Sequence, residues 1–335
     1  MDVMDARQAE EATEAVRVDA GDLVATARAD VTLAQLDDAL AKHSMWVALD
    51  PPGSRKQTLG EVLAAGSGGP LCAGFGLPRD QVLGLSFVAR TGTAAKTGGR
   101  VVKNVAGFDI AKLLIGSHGA FATITDAHLR LRVRPAADAT GVIQGSRGLV
   151  AGHAARLMLG GASPVAFEVI SPAVAGAMGL EERWSLLLRA MGSAAAVKEE
   201  LAACGAITSV VAWERWHAAM DAWPVVLRAG CDPASWDRVL DAAETVAGTP
   251  AGVSVCVPRG FLRIGVESID ARTVDRLRQV LGGMRHPVSL EKCDEATQRA
   301  AGIWGVMDEG ALAITRRLLD VYDPHRVAGV PLFAA

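Results

Sequence analysis

The sequence predicts an α+β fold in two domains, and three observations carry that prediction. At roughly 150 residues per domain, 335 residues make about two domains. The composition is 50% hydrophobic and 21% charged, which can fill a core and is unlike that of a disordered chain. Residues 16–135 alternate strands, short helices and glycine-rich loops, whereas residues 139–292 carry a weak repeat of the order βαββαβ. Arg134-Pro135-Ala136-Ala137-Asp138 reads as the boundary, giving domains at 1–135 and 136–335.

The elements follow in order. Leu23 to Ala29 alternates as a strand. Thr32 caps a helix with Leu33, Leu36 and Leu40 on one face. Trp46 to Leu49 is a short apolar strand stopped by Asp50-Pro51-Pro52-Gly53. Gln81 to Arg90 and Lys96 to Val102 form a hairpin around Thr91-Gly92, and Ala122 to Val133 is a further strand. In the first repeat, a strand from Val142, a helix near Leu149–Leu157, strands at Val165–Ile170 and Trp184–Leu188 and a helix at Ala194–Cys204 are expected. In the second, Pro224 to Gly230 is a strand and Asp232-Pro233 starts a helix carrying Trp236, Val239, Leu240 and Ala243. Strands at Gly252–Val257 and Phe261–Val266, a helix with Val274, Leu277 and Leu281, and Val288-Ser289-Leu290 complete it. The two ferredoxin-like units are candidates to share one sheet, and a helix at about Glu309–Leu319 closes the chain.

Several function classes are disfavoured. Thirty-four basic and 37 acidic residues leave a net charge of −3, which gives no support to a nucleic-acid binder. Aromatics at 4% are too few for a base-stacking surface. No uncharged apolar stretch is long enough to span a membrane, and the acidic Met1–Ala15 segment lacks the apolar core of a secretion signal. Five scattered cysteines without a CxxC, and seven histidines without HxxxH or HExxH, point to a reduced cytoplasmic setting and no metal site.

Two segments carry chemistry. In Thr58-Leu-Gly-Glu-Val-Leu-Ala-Ala-Gly-Ser-Gly-Gly-Pro70 the glycines admit backbone amides to an anion, and Thr58 and Ser67 add hydroxyls. A helix followed by a plain glycine-rich turn explains the same residues. The second runs from Gly98 to Thr125, with Lys103 and Asn104 beside apolar runs, Asp109 as a helix cap or a polar site residue, and Gly116-Ser117-His118-Gly119 as a tight turn. Gly92-Thr-Ala-Ala-Lys96-Thr97 lacks the glycine before lysine that a P-loop needs, and Gly66-Ser-Gly68-Gly-Pro-Leu71 lacks the last glycine of GxGxxG.

These segments resemble the FAD-binding domain of vanillyl-alcohol-oxidase type flavoproteins and, more narrowly, the FAD-binding subunit of glycolate oxidase. The resemblance rests on Asp50-Pro51-Pro52, Leu59-Gly60, Gly69-Pro70 and Arg79-Asp80-Gln81-Val82-Leu83-Gly84. Gly98-Gly99, Lys103-Asn-Val-Ala-Gly-Phe-Asp109 and Gly116-Ser117-x-Gly119 complete it, over roughly residues 20–135. It implies a vanillyl-alcohol-oxidase (PCMH) type domain with a ferredoxin-like cap. FAD contacts are then implied for Pro52, Gly53, Gly60, Gly66, Ser67, Gly68, Asn104, Gly107, Thr123 and Ile124. The implied partners are a catalytic FAD-containing 2-hydroxy-acid oxidase subunit and an iron–sulfur subunit, with the complex peripheral to the inner membrane. Three departures matter. Fifteen residues precede Val16 and contain no Arg-Gly-Gly-Gly type pyrophosphate loop, so FAD occupancy becomes a question for experiment. Tyr322-Asp323-Pro324-His325 keeps only the Asp-Pro of the usual ending. The histidine pair and carboxylate of the catalytic partners have no counterpart, so no catalytic residue is assigned. An FAD-free scaffold subunit and a stand-alone FAD oxidase are the alternatives.

Single residues are read as follows. His118 is a polar turn residue and His217 a helix-surface histidine. Cys72 is a small buried residue rather than a flavin attachment point. Arg79-Asp80 is a local ion pair, and Trp213, Trp216 and Trp223 are either a partner-facing patch or cap-domain core.

Overall fold

The structure, a computed structural model, describes residues 14–99, 109–305 and 309–333. Strands β1 (Val16–Asp19), β2 (Val24–Arg28), β3 (Met45–Trp46), β4 (Val82–Ala89), β5 (Ala94–Gly98), β6 (Ala122–Arg130) and β7 (Arg132–Val133) build the N-terminal part. Five of them form an antiparallel sheet in the order β1-β2-β6-β4-β5, and β3 pairs with β7. Alternate residues of β6 are buried, so one face of this sheet packs on helices Leu33–Ala41, Leu59–Ala65 and Ile110–Leu114. Both longer helices start at threonine capping boxes, Thr32 with Gln35 and Thr58 with Glu61. The expected Trp46–Leu49 strand is shorter than its apolar run: beyond Trp46 the chain turns through a Leu49 N–H to Val47 C=O bond and enters the core without a pairing partner. Asp109 does cap the Ile110–Leu114 helix.

The C-terminal part is one eight-stranded antiparallel sheet. Its strands are β8 (Ala137–Gly145), β9 (Ala166–Ile170), β10 (Trp184–Gly192), β11 (Ile207–Ser209), β12 (Val225–Gly230), β13 (Gly252–Cys256), β14 (Phe261–Val266) and β15 (Val288–Lys292). The order is β11-β8-β10-β9-β13-β14-β12-β15, two ferredoxin-like quartets joined edge to edge where Val169 faces Val255. One face carries helices Arg147–Leu159, Ala194–Ala203, Trp236–Ala247 and Ala271–Gly283 over a continuous apolar core. The last two of these helices bury Val239, Leu240 and Ala243, and Val274, Leu277 and Leu281. The Trp236 helix starts after Ser235 rather than at Asp232-Pro233, because Asp232 to Ser235 closes a separate turn through a Ser235 N–H to Asp232 C=O bond.

The period-2 alternation of the strands sends a different set of side chains to the opposite face. There Trp213, Trp216 and Trp223 are buried in an apolar cluster with Ile170, Leu187 and Val226, so they are core and not an exposed patch. The Trp223 indole lies flat on two glycines: a Cβ at Gly252 or Gly265 would fall 2.1 or 2.0 Å from its ring atoms. Among the described residues no helix is long and apolar enough to cross a membrane.

Candidate functional site

A cleft of about 710 Å³ opens between the two sheets. Pro51–Gly53, Gly66–Ser67, Gly116 and His118 line one wall, and Arg228, Leu290–Lys292 and Ile303–Trp304 line the other. The first wall follows from how the Leu59–Ala65 helix ends. Gly66 takes a left-handed φ of 64° as its C-cap, and Gly116 and His118 donate backbone N–H bonds to the Leu63 and Ala64 carbonyls left open there. A Cβ on Gly66 would stand 2.7 Å from the Gly116 Cα, so the two loops meet backbone to backbone.

The Asp50–Gly53 segment is held from two sides. A Cβ on Gly69 would fall 1.7 Å from the Asp50 carbonyl oxygen, and the Asp50 carboxylate accepts the Leu71 N–H at 2.8 Å. From the other side, His217 Nδ1 lies 2.9 Å from the Pro51 carbonyl oxygen, which can only accept. His217 is thus a domain-bridging donor and not a surface histidine. Burial pushes its pKa down to about 4, so it is neutral near pH 7. Arg79 and Asp80 form no ion pair with each other: Asp80 accepts the Leu77 N–H, and Arg79 reaches the cleft.

The second wall is charged. Arg263 donates from Nε to Glu291 Oε2 at 2.6 Å and from Nη2 to the Gly68 carbonyl at 2.6 Å. Ser67 Oγ donates to Glu291 Oε1 at 2.9 Å. Burial alone would raise the Glu291 pKa, but Arg263 and Arg228 outweigh it and hold the carboxylate below its usual range. Deeper in the same face, Ser254 Oγ donates to Glu168 Oε2 at 2.7 Å and accepts from Trp216 Nε1 at 3.0 Å. Burial pushes Glu168 and Asp50 up to about 7 each. His118 is also lowered by burial.

A second cavity of about 640 Å³ lies beside the other flank of the Leu59–Ala65 helix, and Glu61 lines both spaces. The implied contact residues divide between them. Pro52, Gly53, Gly66 and Ser67 line the cleft, while Gly60, Thr123 and Ile124 line the second cavity. Gly68 is buried behind the cleft with its carbonyl taken by Arg263. Lys103, Asn104 and Gly107 lie outside the described residues. The Thr58 hydroxyl accepts the Glu61 N–H as a helix cap, and Thr58 lines the second cavity. Cys72 is buried with Sγ 3.5 Å from Cys256 Sγ. Among the described residues no group of three or more His, Cys, Asp or Glu could hold a metal ion. Sequence reasoning missed Arg228, Arg263, Glu291 and Glu168. A signal existed for three of them: Arg228, Arg263 and Glu168 are each a single charge inside an otherwise apolar strand, as in Val225-Val-Leu-Arg-Ala-Gly230 and Ala166-Phe-Glu-Val-Ile170, whereas Glu291 is followed by Lys292.

The described residues fit a flavin nucleotide. Both spaces fall within the roughly 300–1,000 Å³ of small-molecule sites. Gln57, which lines the cleft, keeps a buried Oε1 without a hydrogen-bond partner among the described residues. Close backbone approach at Gly66 and Gly116 leaves peptide groups rather than side chains at the wall.

Comparison with known proteins agrees. Residues 9–98 match the FAD binding domain family. The chain is 40% identical over 117 residues to a D-lactate dehydrogenase of Archaeoglobus fulgidus, covering 35% of this chain and 26% of that protein. It is 34% identical over 123 residues to glycolate oxidase subunit GlcE of Escherichia coli, covering 36% and 35%. With glycolate oxidase subunit GlcD of Bacillus subtilis the figures are 31% over 120 residues, covering 36% and 26%. The matches thus span about a quarter to a third of these relatives. An alkyldihydroxyacetonephosphate synthase structure superimposes with a TM-score of 0.66 at 15% identity, over 95% of this chain and 65% of that one, which speaks to fold alone. Residues 9–98 therefore carry an FAD binding domain of the PCMH type, related to those of glycolate oxidase subunits and implying FAD as its cofactor.

Proposed function

We propose that this chain is the FAD-binding-type subunit of a multi-subunit glycolate or lactate (2-hydroxy acid) oxidase or dehydrogenase. In this reading it supports electron transfer from a catalytic flavoprotein subunit to an iron–sulfur subunit. The complex is cytoplasmic and lies against the inner membrane through its other subunits. The observation that carries the reading is the cleft itself: glycine-lined backbone on the FAD binding domain faces a charged wall, Arg228, Glu291 and Lys292, on the second sheet.

Bound FAD would supply the redox chemistry, with the protein setting its environment. Pro52, Gly53, Gly66 and Ser67 would contact it in the cleft, and Gly60, Thr123 and Ile124 in the second cavity. His217 and Gly69 hold the Pro51–Gly53 wall in place for that contact. The buried Arg263–Glu291 pair fixes Ser67 and the Gly68 carbonyl.

One observation favours a second reading, an FAD-free scaffold subunit. The Ser67 hydroxyl donates to Glu291, so its proton is not spare for a phosphate. The deciding experiment purifies the chain alone and with its co-purifying partners, records the visible spectrum and releases flavin by acid. Stoichiometric FAD traced to this chain supports the first reading. FAD accounted for wholly by another subunit supports the scaffold. No stable association with any flavoprotein or iron–sulfur partner sinks both.

A further inference from the structure

Arg228 is the one strand charge on the cleft wall whose hydrogen-bonding capacity is left unused among the described residues. It lies directly opposite Arg263 across the β12–β14 pair, and opposite Ser289 across β12–β15. Arg263 already donates from Nε and Nη2 to Glu291, Ser67 and Gly68. Glu291 in turn is taken by Arg263 and Ser67, and its Oε1 stands 3.9 Å from Arg228 Nε, beyond hydrogen-bond range. The Arg228 guanidinium rests on the Phe261 ring at 4.1 Å, which fixes its plane without satisfying a donor. Its side chain is 28% exposed and lines two cavities.

Arg228 lines two spaces at once. One is the main cleft. The other is a side cavity of about 490 Å³ formed with Arg259, Phe261, Pro287, Ser289 and Trp304. Ser289 and Trp304 also line both, so these three residues mark the junction. Arg259 uses Nε on the Cys72 carbonyl and leaves the rest of its guanidinium for the cavity. Two guanidinium groups, Arg228 and Arg259, line the side cavity, and no carboxylate lines it among the described residues; Glu291 lines only the cleft. A planar fork on an aromatic floor with surplus positive charge is suited to a planar anion bound bidentately.

We propose that Arg228, at the junction of the cleft and the side cavity, binds a small carboxylate with a short carbon chain. The anion is held by the guanidinium fork, and Ile303, Leu290 and Trp304 offer apolar contact to its carbon chain. That the carboxylate is a 2-hydroxy acid rests on the function proposed above; the anion site itself does not.

The test is calorimetric titration of glycolate, oxalate and sulfate into the full chain at low salt, with flavin content measured separately on the same samples. Saturable glycolate and oxalate binding is expected. Arg228→Gln should lose ~10-fold or more in affinity, and Arg228→Lys should lose less, keeping the charge without the fork. Ser289→Leu, which fills the junction from the neighbouring strand, should weaken binding with the guanidinium intact. It serves as the independent variant if Arg228→Gln melts at a markedly lower temperature. No saturable binding to the wild type, equal affinity in all variants, or sulfate binding as tight as glycolate overturns the proposal. Carboxylate binding in a chain without flavin upholds the site and counts against the flavin-carrying function.

Discussion

Arg263 and Glu291 sit on strands that are not neighbours, yet Arg263 Nε and Glu291 Oε2 are 2.6 Å apart across the intervening β12. The strand between them presents Arg228 directly opposite Arg263. Two like charges opposed on one face of a sheet repel, and Glu291 is what makes the arrangement tolerable. Arg263 is 1% exposed and Glu291 15%, so water offers little help.

Glu291→Gln should therefore destabilise the fold by about 3–5 kcal/mol, since it leaves a buried guanidinium unpaired. Urea unfolding measures it. Replacing the pair together by Arg263→Met and Glu291→Leu should cost clearly less than the single change, because no charge is then stranded. The sign with pH follows from the lowered Glu291 pKa: its contribution is present at neutral pH and is lost as pH falls through the folded-state value below the usual carboxylate range. A single variant no less stable than wild type would contradict this account.

Glu168 predicts the opposite slope. Its carboxyl is wholly buried, Oε1 accepts no conventional hydrogen bond among the described residues, and burial raises its pKa to about 7. The folded state then holds a proton that the unfolded chain has already released. Stability from this group is full below the usual carboxylate range and declines as pH rises through about 7. Asp50, raised to about 7 as well, adds in the same direction. Glu168→Gln keeps an acceptor for Ser254 and cannot ionise. Its melting temperature should gain on wild type progressively between about pH 5 and pH 8. Parallel melting curves across that range would refute the buried acid.

His217 links the Trp213–Ala222 helix to the Pro51 carbonyl. His217→Phe fills similar space but strands that acceptor, at a cost of about 1–3 kcal/mol. The lowered His217 pKa adds a second signature. The neutral ring is required, so its contribution is present above the ordinary histidine range and is lost as pH falls through about 4. The variant should also retain less flavin per chain, because Pro51 and Pro52 border the cleft. Unchanged stability together with unchanged flavin content would show that the bridge is incidental.

Local order was legible where short-range chemistry decides it. Thr32 with Gln35 announces a helix start, and Gly116-Ser117-x-Gly119 announces a turn, because capping and positive φ are set by a few neighbouring residues. The split of the candidate residues between two cavities was not legible, since Gly60 and Gly66 are six residues apart yet face different flanks of one helix. His217 was misread because its partner is 166 residues away. The charged wall was half legible: Arg228 and Arg263 stand out in apolar strands, but their meeting with Glu291 depends on β12 lying between β14 and β15.

The glycines give a prediction with two signs for one kind of change. Gly69 packs against the Asp50 backbone, and a Cβ there would lie 1.7 Å from the Asp50 carbonyl oxygen. Neither group is a flexible side-chain end, so Gly69→Ala must push the Asp50–Gly53 segment away. The expected cost is about 1–3 kcal/mol, with reduced flavin retention because the cleft wall moves. Gly152 sits exposed inside the Arg147–Leu159 helix with nothing within 4 Å of a would-be Cβ. Gly152→Ala should stabilise by about 0.5–1 kcal/mol, by reducing the backbone freedom of the unfolded chain. Urea midpoints of the two variants should therefore move in opposite directions from wild type, and flavin content should change only in Gly69→Ala. A shift of the same sign in both would mean that the close approach of Gly69 to Asp50 does not shape the cleft.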